Sequence, residues 1–89
     1  MKMAKAIQSF CDQAVRAADY QGSGSRLSDV WANHDDGRTR ITGEIGGSLI
    51  GVDILGIVEG DDLDILLATL GAGACMAICL NEHHMECLP

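Results

Sequence analysis

Thr39-Arg40-Ile41-Thr42-Gly43-Glu44-Ile45-Gly46-Gly47-Ser48-Leu49-Ile50-Gly51-Val52-Asp53-Ile54 reads as two strands around a glycine pair. Apolar residues recur at every second position on both sides of Gly46-Gly47, and a two-residue glycine loop suits the tight turn between right-twisted strands. With that loop, Ile45 faces Ser48, Gly43 faces Ile50, Ile41 faces Val52 and Thr39 faces Ile54 on one side of the sheet. On the other side Arg40 faces Asp53, Thr42 faces Gly51 and Glu44 faces Leu49. Slipping the register by one residue sends Ile41 and Ile45 to the polar side and parts Arg40 from Asp53. Turn chemistry and side-chain pattern therefore select one register. The second of these strands is expected to run on to about Val58.

Upstream, Asp36-Gly37 is a second two-residue hairpin signal. It pairs Asp35 with Arg38, Ala32 with Ile41 and Val30 with Gly43, so opposite charges meet at the turn and small apolar residues share one face. A strand over 27–35 follows. The competing reading is a short helix capped by Ser25 with Leu27, Val30 and Trp31 on one face. Before it, Met3, Ala6, Ile7, Phe10, Cys11, Ala14, Val15 and Ala18 recur at three-and-four spacing, which predicts an amphipathic helix from Lys2 to Tyr20. Gln21-Gly22-Ser23-Gly24-Ser25 supplies its stop and a loop.

Downstream, Glu59-Gly60-Asp61-Asp62 breaks the sheet. Asp61 as N-cap with Asp64 three residues later resembles a capping box, and carboxylates are favoured at a helix N-terminus. The run Ile65 to Leu80 then predicts an apolar helix ending near Asn81. The alternative is a Gly60-Asp61 turn with Leu63 to Leu67 as a fourth strand. Gly71-Ala72-Gly73-Ala74 lets another backbone approach closely, so the tightest contact of the fold, or of a dimer, is expected there.

The 89 residues suffice for one domain, spanning 1–89, close to the lower size at which a core holds a fold unaided. Hydrophobic residues make up 47%, yet Phe, Trp and Tyr occur once each. The core must be aliphatic. Thirteen acidic against six basic residues leave a net charge of −7, which disfavours direct nucleic-acid binding and anionic membranes and permits a basic protein partner. No apolar signal-peptide core follows Lys2 and Lys5. The C-terminal apolar run, about 16 residues, is short of the roughly 20 that span a bilayer and is flanked by Asp61, Asp62 and Asp64. The expectation is a cytoplasmic protein with reduced cysteines and no membrane segment.

Few residues suggest chemistry. Cys75, Cys79, His83 and Cys87 repeat at spacing four, and Cys and His are zinc ligands. On a continuous helix Cys75 and His83 stand about 12 Å apart along the axis, too far to share an ion. Cys79 and His83, completed by Cys87 from a tail or by a second subunit, are the alternative metal set. Cys75 and Cys79 are expected instead to be small buried hydrophobes. No glycine-rich loop has phosphate-binding spacing, no cofactor is implied, and no nucleophile with a base emerges.

The expected architecture is α+β, a two-layer αβββα sandwich with a three-stranded antiparallel sheet. Both helices lie on the face carrying Val30, Ile41, Ile45, Ile50, Val52 and Ile54. Antiparallel connection brings Asp35 and Asp36 to the same sheet end as Glu59, Asp61 and Asp62, an acidic rim able to steer the protein onto a basic surface. Leu49, Leu55 and Ile57 fall on the opposite face and, with Gly71 and Gly73, form the expected homo-oligomer interface. The functional expectation is a non-enzymatic protein-binding module, in its sharpest form an inhibitor of nucleic-acid-handling machinery such as phages use against host defence. The alternative is a thiol- or zinc-dependent sensor using Cys79, His83 and Cys87.

Overall fold

The computed structural model describes residues 3–22 and 24–87, with side chains described through Glu82. Helix α1 (Met3–Gln21) is followed by strands β1 (Leu27–Asp35), β2 (Arg38–Ile45) and β3 (Ser48–Leu55) and by helix α2 (Gly60–Cys87). The strands form one antiparallel sheet in the order β1-β2-β3. This is the expected α+β order, with a strand rather than a helix over 27–35 and a helix rather than a fourth strand over 63–67.

Both hairpins take the register that the pattern selects. Ile41 stands opposite Ala32 on one side and Val52 on the other, and Arg40 opposite Asp53. Asp36 and Gly37 have φ of 48° and 72°, and Gly46 and Gly47 have 55° and 92°. Positive φ at both loop positions gives the turn twist that keeps paired strands together. Gly22 ends α1 in the same left-handed region at 109°, and its N–H donates to Ala18 O at 2.9 Å, satisfying a last-turn carbonyl.

The core lies between the sheet and the helix layer. One residue per turn of α1, Ala6, Phe10, Ala14 and Ala18, is buried against Ile41, Ile45, Ile50, Val52 and Ile54. From α2 come Leu66, Leu70, Ala74 and Ile78. Helix α1 packs on β3 and β2, whereas α2 packs on β1 and along α1. Val30 is half-buried rather than buried, consistent with a thinner cover over β1.

A shift in pairing between Leu27 and Asp29 lets Leu27 join Val30 on the core side, although their separation of three would put them on opposite faces of a regular strand. A Cβ on Gly43 would stand 3.0 Å from both Leu27 Cδ1 and Phe10 Cζ, so the missing side chain makes room for the Phe10 ring.

Three boundaries move. β3 stops at Leu55, not near Val58, because Gly56 turns away at φ 98° and its N–H donates to Gly37 O at 2.7 Å. Helix α2 starts at Gly60, which puts Asp61 and Asp62 in the first turn and replaces the expected Asp61 N-cap. The helix also continues past Asn81 to Cys87, since no glycine or proline interrupts 82–87.

The open edge of β3 is closed by a side chain. Gln13 Nε2 donates to Gly51 O at 2.9 Å and Gln13 Oε1 accepts from Gly51 N–H at 3.1 Å. The carboxamide thus takes the place that another strand's peptide group would occupy, and it blunts the edge. Gln13→Ala is expected to cost about 1–2 kcal/mol in urea unfolding, since a half-buried donor and acceptor lose their partner together. Unfolding unchanged within about 0.3 kcal/mol, near the resolution of additivity arguments, would show that water replaces the carboxamide fully.

Candidate functional site: the acidic end and the outer face of the last helix

The acidic residues come together because the loop leaving β3 is tied back to the first hairpin. Beside the Gly56–Gly37 bond, His34 Nε2 lies 2.7 Å from Val58 O. Thr39, fully buried, donates from Oγ1 to Gly56 O at 2.9 Å and accepts from Val58 N–H at 2.8 Å. These bonds pin residues 56–58 next to the Asp36-Gly37 turn and so carry Glu59, Asp61 and Asp62 to the end where Asp35 and Asp36 stand. All five side chains are exposed. The two salt bridges among the described residues join other groups, Arg26 with Glu82 at 3.0 Å and Arg40 with Asp53 at 3.2 Å.

Two concavities flank this end. A polar one of about 390 Å³ on the outer sheet face is lined by Asn33, Asp35, Asp36, Arg38, Arg40 and Asp53. Its two arginines temper the acids beside them. The other, about 360 Å³, is an apolar groove between the first turns of the two helices, lined by Met3, Ile7, Val58, Asp62, Ile65, Leu66 and Thr69. Asp62 belongs both to the acidic rim and to this groove. Lys5 points elsewhere, because two residues along a helix from Met3 is more than half a turn away.

The expected oligomer residues divide. Leu49, Leu55 and Ile57 are 64%, 70% and 51% exposed, and no described segment folds over that face. Gly71 and Gly73 are used inside the chain instead. A Cβ on Gly71 would come within 3.9 Å of Leu27 and Val30, and one on Gly73 would stand 3.2 Å from Cys11 Sγ. The close approach expected at the Gly-Ala segment is thus between α2 and its own β1 and α1.

The cysteines correct another expectation. Cys75 and Cys79 are exposed on α2, not buried, because the core stripe Leu66, Leu70, Ala74 and Ile78 runs along the opposite side of the helix. Cys11 is the half-buried one, and burial, with the Asp12 carboxylate second, raises its thiol above the ordinary value. The side chains of His83 and Cys87 lie outside the described residues. The α2 backbone nevertheless runs helically through both, so Cys79 and Cys87 stand about 12 Å apart along the axis. Along the described helix, Cys87 is therefore not brought back to Cys79 to complete the Cys79, His83, Cys87 set within one copy. Among the described residues no group of three or more His, Cys, Asp or Glu is close enough to hold a metal ion.

Helix α2 is longer than the apolar run within it, so helix length alone does not argue against a membrane segment. Its 23 residues from Gly60 to Glu82 are long and apolar enough to cross a bilayer; an 18-residue stretch within them has a mean hydropathy of 2.1, and only 22% of that stretch is buried inside the molecule. A helix apolar on every side, packed along one narrow stripe, leaves most of its apolar surface uncovered.

The groove and the Thr39 anchor escape a reading by pattern, since each joins residues distant in sequence. Thr39 did show one sign: it is a polar residue in the alternating core face. No family model matches the chain, and no curated protein and no solved structure matches it.

Proposed function

We propose that the protein is a non-enzymatic binding module whose acidic end, Asp35, Asp36, Glu59, Asp61 and Asp62, engages a basic protein surface. The observation that supports this reading is the convergence of five exposed carboxylates, drawn from two separate segments, around a loop held by part-buried hydrogen bonds to Thr39. A loop tied at Gly37, His34 and Thr39 presents the charges in a fixed array, so less ordering entropy is lost on binding. The adjoining groove offers Asp62 beside apolar walls, a setting for one large apolar side chain of the partner among its Lys and Arg residues.

On this reading the surface engaged is one built for phosphates, and the protein acts in the cytoplasm as an inhibitor of a nucleic-acid-handling protein. An anti-defence protein of the phage type would work in this way. Neither direct nucleic-acid contact nor a membrane is needed.

The test is affinity capture from the native cell, scored on one identified basic protein. The expected result is capture that weakens as salt rises, is competed by nucleic acid and falls at least about tenfold for Asp35→Lys plus Asp36→Lys. Asp12→Lys plus Asp19→Lys, on exposed positions of α1, should retain it. Equal capture by both double variants would sink the proposal.

A further inference from the structure

We infer that the protein forms a twofold symmetric dimer through the outer face of α2, two antiparallel copies of the helix crossing at Ala72. The core stripe Leu66, Leu70, Ala74 and Ile78 occupies one side of the helix, and Ile65, Ala68, Ala72, Cys75, Met76 and Cys79 form the exposed opposite side. Ile65 and Met76 are 64% and 65% exposed, as is Leu80 at the margin with 65%. Large apolar side chains held in water along a whole helix face mark an interaction surface.

Charge selects a second copy as the occupant. A molecule of net charge −7 repels its own kind wherever carboxylates meet. From Ile65 to Asn81 the chain carries no Asp, Glu, Lys, Arg or His, a strip about 25 Å long on which two copies can approach without opposing like charges. A basic partner, by contrast, finds no carboxylate along this face.

Size points the same way. In an isologous contact each residue meets the one equally far on the other side of the axis. With the axis at Ala72, Ile65 meets Cys79, Ala68 meets Met76 and Ala72 meets itself, so a large side chain opposes a small one at each level and the helices touch closest at an alanine. A face one helix wide lies at the small end of specific interfaces, so the expected dissociation constant is on the order of 10 µM. Interface residues Gly71 and Gly73 are thereby replaced by their outward neighbours.

The dimer is separable from partner binding through Asp35 and Asp36, which stand at the β1–β2 turn, away from this face. Sedimentation velocity of the reduced full chain between about 1 and 300 µM, a range bracketing that constant, should show monomer passing to dimer. Ala72→Glu sets two carboxylates against each other on the axis and should weaken the dimer at least about 100-fold with helix content unchanged. Asp35→Lys plus Asp36→Lys should not weaken it. In a chain with all four cysteines changed to serine, Ala72→Cys should give a disulfide-linked dimer with oxidised glutathione, and Thr69→Cys should not. A concentration-independent monomer overturns the inference, and so does a monomer that floats with phosphatidylcholine vesicles. A dimer indifferent to Ala72→Glu, or equal crosslinking from positions 69 and 72, overturns it equally.

Discussion

Phe10→Ala is expected to remove about 3–5 kcal/mol of stability, a large share of the whole for a domain of this size. Phe10 is the only aromatic side chain in the core: Tyr20 is 85% exposed, and Trp31, opposite Thr42, is half-buried on the other sheet face. Its ring fills the notch left by Gly43 between Leu27 and Ile50. The neighbours are backbone-anchored aliphatics, so the space collapses only in part and the cavity remains costly. Urea unfolding followed by far-UV circular dichroism measures the loss.

The same notch predicts a coupling. Gly43→Ala alone should destabilise by about 1–3 kcal/mol, because its methyl meets Phe10 and Leu27 at 3.0 Å and Ile50 at 3.3 Å. In the Phe10→Ala background that methyl enters vacated space, so the double variant should lose less than the two single losses combined. Strict additivity would show that Phe10 and Gly43 are not packed as described.

The sheet was legible in the sequence because two independent signals agreed. Asp36-Gly37 and Gly46-Gly47 each dictate a turn, and the alternation of Ile41, Ile45, Ile50, Val52 and Ile54 fits only the register those turns impose. Where one signal stood alone, boundaries moved. Asn81 resembled a helix stop, but nothing after it opposes helix, and α2 continues to Cys87.

Which side of α2 faces inward was harder to read. Apolar residues surround the helix, so no moment distinguishes the stripe of Leu66, Leu70, Ala74 and Ile78 from the side carrying Cys75 and Cys79. The inward direction of Gly71 and Gly73 depends on how closely α1 and β1 approach, which is a tertiary fact. Of the candidate site, the acidic residues were placed by strand direction alone. The groove between Met3, Ile7, Val58 and Ile65 exists only once both helices are laid on the sheet.

Thr39→Val tests the link between fold and site. Valine keeps the shape of threonine and removes the hydroxyl that bonds Gly56 O and Val58 N–H from a fully buried position. Each backbone group left without its partner costs about 1–3 kcal/mol if it stays dry, so the loop either bears that penalty or lifts to reach water. Lifting is the cheaper course for a short exposed segment, and it limits the total loss to about 2–4 kcal/mol. Hydrogen exchange at Val58 should then quicken, while exchange within β2 and the core face of α1 follows only the smaller global loss. Glu59, Asp61 and Asp62 would no longer be fixed relative to Asp35 and Asp36, so capture of the basic partner should weaken even though no carboxylate has changed. Thr39→Ser retains the hydroxyl and should restore both the protection of Val58 and the binding, leaving only the deficit of a missing methyl, about 1 kcal/mol. If Thr39→Val melts like the parent and protects Val58 as well, the loop is held by Gly37 and His34 instead, and Thr39 is an ordinary core residue.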